Sequence, residues 1–220
     1  MNLFVPKRNE ILSIISKLAT VYISEEPKIL DLGCGYGDVT AGILELKPNS
    51  HAYLIDFSDE MIRLCRDRFE KNPNVHIIKH NLNEDILAAT SERKFDSVVS
   101  CFALHHIAFE KRVGLYSSIR EILKTDGLFI NRDLFRCESP DINQWEFDTR
   151  VESILCRMRD KMGIVKSFDE FRKTRIEHEK RMDDKPGTIW EMQNDMRRAG
   201  FRYVDCLWKS RSCAILVAVK

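Results

Sequence analysis

Apolar and polar positions alternate along this chain in two rhythms, one helical and one extended. Ile11, Ile15, Leu18 and Tyr22 fall on one helical stripe within residues 7 to 22, which predicts a short amphipathic helix ahead of the first strand. KILDL (28 to 32) is short, apolar and runs straight into glycines, the pattern of a buried parallel strand feeding a tight turn. A helix over about 38 to 46 follows, and then a strand, HAYLIDF (51 to 57). Ser58 can cap the next helix, with Asp59 and Glu60 in its first turn complementing the helix dipole. The alternation continues with VHIIKHN (75 to 81) as strand, a short helix around 84 to 90 and FDSVVSCFAL (95 to 104) as strand. A helix over about 109 to 123 carries Leu115, Ile119 and Ile122 on one face, and GLFINRDLF (127 to 135) supplies a fifth strand.

Strands and helices alternating at this spacing form βαβ units, hence a parallel sheet with right-handed crossovers. Residues 138 to 187 break the rhythm: they are charged and place Val151, Ile154, Leu155, Met158 and Met162 at helical spacing, so they read as a helical insertion. Thr188 with Glu191 forms a capping-box pattern, opening a helix that should stop at Gly200. Strands at about 201 to 208 and 212 to 219 are joined by the short turn KSRS, which implies an antiparallel hairpin. CAILVAV is apolar on both faces and should lie inside the sheet. The expected fold is therefore α/β, a doubly wound seven-stranded sheet, mostly parallel with an antiparallel last strand. Helices cover both faces, and a helical insertion follows the fifth strand.

Charge and composition narrow the function classes. Lys plus Arg total 35 against 34 Asp plus Glu, and a net charge of +1 gives no general attraction to nucleic acid or anionic membrane. No apolar run approaches the ~20 residues of a membrane helix. The start, MNLFVPKRNEILSII, has charges where a signal peptide needs its apolar stretch, so a cytoplasmic protein is expected. The seven Cys (34, 65, 101, 137, 156, 206 and 213) include no C-x-x-C pair, and no His cluster has zinc spacing. They read as reduced core thiols, with no metal expected.

The chemistry is concentrated in Asp31-Leu32-Gly33-Cys34-Gly35-Tyr36-Gly37, between the first strand and first helix. Glycines there let the backbone turn sharply and approach a ligand, and the helix N-terminus behind them favours polar or anionic groups. The third glycine comes one residue earlier than in the dinucleotide fingerprint, with Asp38 at the fingerprint's position, which argues against an NAD-dependent oxidoreductase. LIDFSDEM then puts Asp56 at the end of the second strand, where a carboxylate can accept hydrogen bonds from both hydroxyls of a ribose. Together they indicate a nucleoside-containing cofactor.

On these segments the chain resembles the class I, Rossmann-like S-adenosylmethionine (SAM) dependent methyltransferases, over about residues 28 to 135 plus the terminal hairpin. DLGCGYG looks like the family's first motif and LIDFSDEM like its ribose-binding acid. FDSVVSCFALHHI looks like its fourth strand, and LKTDGLFI like its turn and fifth strand. The combination is similar to the small-molecule branch that includes quinone-biosynthesis and aconitate-type enzymes. The resemblance implies that Asp31 and Gly33 line the methionine end of SAM, that Asp56 holds its ribose, and that Phe57 and Met61 flank its adenine, with Gly35 and Gly37 also among the cofactor-binding residues. Asn81 stands where many members have Asp, and its carbonyl can accept the same adenine hydrogen bond. Leu82 and Cys101 join the cofactor set.

A sulfonium leaving group needs no protonation, so the protein must mainly position the acceptor and, where necessary, remove its proton. His105 and His106, just past the fourth strand, are the candidate bases; a structural or cofactor-edge role is the alternative, because the Leu-His-His string occurs in members with different acceptors. Arg132, Asp133 and Arg136, at the carboxyl end of the fifth strand, are candidates to face the acceptor. The expected organisation is one domain: an N-terminal helix (1 to 27), a cofactor-binding core (28 to 137), a helical cap (138 to 187) and a terminal helix with hairpin (188 to 220). The expected activity is methyl transfer from SAM to an O, N or C atom of a small acceptor, yielding S-adenosylhomocysteine. An RNA methyltransferase and a SAM-binding accessory subunit without activity are the rivals; the absence of a basic excess argues against the first.

Overall fold

The structure, a computed structural model, describes residues 7–21, 24–90 and 94–220. Helix α1 (Arg8–Thr20) leads into β1 (Lys28–Leu32), α2 (Asp38–Leu46), β2 (His51–Asp56), α3 (Asp59–Phe69), β3 (Val75–Lys79), α4 (Ile86–Ala89) and β4 (Phe95–Cys101). After a 3-10 turn at Leu104–His106 come α5 (Phe109–Ile122), β5 (Leu123–Leu134), α6 (Pro140–Met162), α7 (Phe168–Met182), α8 (Ile189–Arg198), β6 (Tyr203–Ser210) and β7 (Cys213–Val219). Tyr22, assigned to the α1 stripe, lies outside the described residues.

The seven strands form one sheet in the order β3-β2-β1-β4-β5-β7-β6. Pairing is parallel from β3 through β5, and β7 runs antiparallel between β5 and β6. CAILVAV is thus an interior strand, as its two apolar faces require. On one face Ile29, Val99, Ile130 and Ile215 pack against Ile11 and Ile15 of α1 and Val39 and Ile43 of α2. On the other, Leu30, Val98, Phe129 and Leu216 meet Tyr116 and Ile119 of α5 and Met192 and Met196 of α8. Each such side chain taken out of water contributes about 1.5–3 kcal/mol, so both helix layers are held by the sheet they cover.

Two boundaries differ most from the sequence reading. Strand β4 stops at Cys101 and not at Leu104, because Phe102 takes a left-handed φ of 66° that no strand can continue. Strand β5 begins at Leu123, four residues before Gly127, with Asp126 at φ 58° and a shift of register against β4 between Phe95 and Ser97. Helices α6 and α7 bury Val151, Ile154, Met158 and Phe171 against one another as a separate small core. Met162, expected on that stripe, is exposed. Ion pairs Arg150–Glu179 and Arg172–Asp148 join the two helices, and Ser212 N donates to Glu146 Oε1 at 3.1 Å, tying α6 to the hairpin turn.

The strand order reverses between β1 and β4, the switch point at which open α/β sheets bind ligands beyond the carboxyl ends of the strands. The ends of β1, β2, β4 and β5 at that edge carry the glycine turn, Asp56, the His105–His106 turn and Asp133.

Candidate active site

The turn after β1 folds back onto β2, with the N–H groups of Gly33 and Cys34 both donating to Ile55 O at 2.8 and 3.0 Å. A Cβ placed on Gly33 (φ 66°) would lie 2.3 Å from Ala103 Cβ, so this glycine lets the turn pack on the chain leaving β4. Gly35 (φ 53°) is different: a Cβ there would meet nothing within 4 Å, which leaves one side of the backbone open to a ligand. Its N–H donates to Asp56 Oδ2 at 2.9 Å, while Ser58 N donates to Oδ1 at 2.9 Å. Asp56 is 8% exposed, yet each carboxylate oxygen keeps a lone pair for a further donor. Gly37 precedes α2, and Ser58 caps α3 through Met61 N at 3.4 Å. Phe57, 70% exposed, stands beside Asp56 with half-buried Met61 one turn further on.

Across the turn, the left-handed Phe102 drops the chain into the 3-10 turn that holds both histidines. His105 is 2% exposed, and its Nδ1 lies 2.5 Å from Oδ1 of fully buried Asp133 on β5. Its Nε2 lies 3.7 Å from Asp184 Oδ1, and the same oxygen is 3.3 Å from His106 Nδ1. Asp184 arrives from the segment after α7, which is pinned beside the histidines. Lys185 N donates to His105 O at 2.7 Å, buried Arg112 donates to Lys185 O, and Arg136 N donates to Gly187 O at 3.0 Å. Burial works against a charge on His105, but the charge of Asp133 and its hydrogen bond outweigh it and raise the imidazole above its ordinary value. Burial, together with the neighbouring His105, lowers His106. The two rings lie 4.0 Å apart between centroids, with the shifts of the two imidazoles opposite in direction.

Comparison with known proteins bears on the class of this site. A methyltransferase domain family model matches residues 29–127, the stretch from β1 to the turn of β5 that carries the glycines, Asp56 and both histidines. Carboxy-S-adenosyl-L-methionine synthase of Aeromonas hydrophila is 24% identical over 98% of this chain and 83% of its own. Residues 29–127 thus match a methyltransferase domain, and the relatives support a class I SAM-dependent methyltransferase. Malonyl-[acyl-carrier protein] O-methyltransferase 2 of Ilyobacter polytropus is 27% identical over 64% of this chain and 57% of its own. The crystal structure of a putative O-methyltransferase of Nostoc punctiforme superposes with a TM-score of 0.65 at 16% identity, over 96% of this chain and 56% of that one. The chain spans little more than half the length of these last two proteins.

The site of this methyltransferase fits SAM at two points: the open side of Gly35 and the spare acceptor capacity of Asp56, with exposed Phe57 offering a flat apolar surface next to it. Other expected cofactor residues are more committed to the protein. Asp31 is buried and accepts from Thr40 Oγ1 at 2.7 Å, and burial, opposed by the Thr40 bonds, pushes its carboxyl up to about 7. It braces α2 against β1. The Asn81 carbonyl accepts from Asn83 N at 3.0 Å, so an adenine donor would have to share that oxygen. Leu82 reaches the glycine turn, 3.8 Å from where a Gly33 Cβ would stand. Cys101, opposite Arg132 in the sheet, has a thiol that burial pushes up to about 12, which makes it a packing group and not a nucleophile.

Arg132, Asp133 and Arg136 do not form one acceptor-facing surface. Successive strand residues point to opposite faces. Asp133 is spent on His105, while Arg132, 2% exposed, stacks over the Phe102 ring at 4.6 Å and donates to Cys213 Sγ at 3.3 Å. Arg136 pairs with Glu191 of α8 at 2.5 Å. Sequence reasoning missed Asp184 and Arg112 altogether: Asp184 lies in DDKPG, which carries only a loop signal, and Arg112 looks like an ordinary surface cation of α5. No helix among the described residues is long and apolar enough to cross a membrane.

Proposed function

We propose that this methyltransferase acts on an O, N or C atom of a small-molecule acceptor, seated between the glycine turn and the His105–His106 pair. The observation that carries the reading is the buried Asp133–His105 contact of 2.5 Å, one residue-pair beyond the Ala103 that packs on Gly33. It supports an imidazole held in a fixed orientation close to the chain that packs on the glycine turn. When bound, SAM supplies an electrophilic methyl on a leaving group that needs no proton. The chain's own tasks are then to orient the acceptor and to relieve it of its proton, and the two histidines supply the nitrogens for that. The names of the Ilyobacter and Nostoc proteins support an oxygen acceptor. The helical insertion leaves β5 at this edge and returns through Asp184, which supports a cap over the acceptor.

A second reading is favoured by the Aeromonas alignment, which runs along 98% of the chain and so takes in the insertion and hairpin. In it the product is a carboxylated SAM. Incubation with methyl-labelled SAM and a metabolite extract, followed by mass spectrometry, separates the two. Label in a new, non-adenosyl compound is the expected result. Label retained in an adenosyl product heavier by a carboxyl group would establish the second reading in its place, and unconsumed SAM would overturn both.

A further inference from the structure

Three ligand-type atoms from two distant segments converge beside the glycine turn. His105 Nε2 and His106 Nδ1 stand 3.7 and 3.3 Å from Asp184 Oδ1, and the three atoms all lie within 4.8 Å of one another. Ligands held about 2.0–2.2 Å from a tetrahedral cation are themselves about 3.4 Å apart, so two edges already have the size a cation would impose. Hydrogen bonding does not explain the convergence. Asp184 Oδ1 is buried and makes no hydrogen bond, although two imidazole nitrogens are near it. A carboxylate oxygen left in that condition is costly unless a cation shares it.

We propose that His105, His106 and Asp184 bind one first-row divalent cation, in the first instance Zn2+. Two imidazoles and a carboxylate form a three-ligand set that leaves a coordination position open. The surroundings supply what such a site needs. Asp133 on Nδ1 of His105 fixes the tautomer in which Nε2 presents its lone pair, the carboxylate–histidine arrangement found behind metal-bound imidazoles. The hydrogen bond from Lys185 N to His105 O holds the Asp184 segment in place. Two imidazole nitrogens in the set favour Zn2+ over the hard cations Mg2+ and Ca2+, which take oxygen ligands. The sequence carried no zinc spacing because the third ligand comes from the far side of the insertion.

This inference deepens the reading of the site as a methyltransferase and rests on it for the cation's role. A cation there would acidify an acceptor hydroxyl, whose proton leaves to water, so that the histidines act through the cation and not by taking the proton themselves. It would also fasten the end of the insertion to the core.

The test is a direct titration. Protein dialysed against a chelator is titrated with Zn2+ against a competing indicator, and with Co2+ by its visible absorption, in a Cys156→Ser/Cys206→Ser background that removes the exposed thiols. One cation per chain is expected. Asp184→Ala and His106→Ala should each weaken it on the order of 100-fold or more, and Asp133→Asn, one shell out, about 10- to 100-fold. Stoichiometric binding unaffected by Asp184→Ala and His106→Ala, or no Zn2+ binding at all, overturns the site. S-adenosylhomocysteine affinity is measured on the same samples. Retained affinity with no cation binding removes the cation and leaves the methyltransferase reading, whereas the opposite pattern removes the cofactor assignment and leaves the cation.

Discussion

The backbone N–H of Gly35 donates to Asp56 Oδ2 at 2.9 Å, so the glycine turn and the acid that ends β2 are one unit. Asp56 holds the turn with one face of its carboxylate and keeps lone pairs for two ribose hydroxyls. Hydrogen bonds with a charged partner contribute about 1.5–3 kcal/mol each, partly offset when water takes the vacated place. Asp56→Ala is therefore expected to weaken SAM and S-adenosylhomocysteine binding roughly 10- to 100-fold, about 1.4–2.7 kcal/mol, with Asp56→Asn in between. Calorimetric titration of the folded variants checks this; wild-type affinity in Asp56→Ala would confine the residue to its bonds with Gly35 and Ser58.

The pairing of His105 with Asp133 predicts a split between rate and binding. His105→Gln and His106→Gln should lower the methyl-transfer rate by about 10²- to 10⁴-fold with little change in S-adenosylhomocysteine affinity. Asp133→Ala strands a buried ring nitrogen and should cost about 1–3 kcal/mol of stability, readable by chemical denaturation without any acceptor. Turnover that survives in both histidine variants would remove them from the chemistry.

Asp31 predicts a stability profile with an unusual sign. Its folded carboxyl is raised from 3.8 to about 7 by burial, so between those values the folded chain holds a proton that the unfolded chain has lost. Stability on this account falls as pH rises through that window, by up to about 4 kcal/mol, and the loss is complete above it. Asp31→Asn, which keeps an acceptor for Thr40, should flatten the slope between pH 5 and 8. Parallel denaturation curves for the variant and wild type across that range would show that Asp31 does not carry the effect.

Much of the cofactor half was legible in the sequence because it is local. KILDL, the glycines and α2 follow one another, and the observed β1 and α2 keep the expected bounds of 28–32 and 38–46. The acceptor half was not legible, because it is made of long-range pairs. Strand alternation puts Arg132 and Asp133 on opposite faces, but nothing local says which one meets His105. Nor does any spacing link Asp184 to His106; only the fold of the insertion brings them together. The early end of β4 turned on the left-handed Phe102, a conformation that its side chain does not advertise.

The helical insertion is expected to close over the acceptor, since it leaves β5 at the site's edge and returns by way of Asp184. Hydrogen exchange across 138 to 187 should slow when S-adenosylhomocysteine and an acceptor are added together. Exchange that is the same with and without them would make α6 and α7 a fixed outer layer.

Gly33 and Gly35 offer the sharpest separation of folding from binding, because they share a left-handed backbone and differ only in what stands beside them. An alanine at either position takes on the cost of that backbone, about 1–2 kcal/mol. At Gly33 the new methyl also runs into Ala103 Cβ, 2.3 Å away, and neither group has a torsion to turn aside. Overpacking of that kind adds about 1–3 kcal/mol and must be relieved by moving the chain that leads to His105. At Gly35 the methyl meets no atom of the protein and projects into the open side of the turn. Gly33→Ala should therefore lose clearly more thermal stability than Gly35→Ala. Gly35→Ala should remain folded and lose S-adenosylhomocysteine affinity out of proportion to its stability loss. Melting curves and calorimetric titration on the two variants decide the matter: a Gly35→Ala protein that binds as tightly as wild type would move the cofactor away from that side of the turn, whatever Gly33→Ala does.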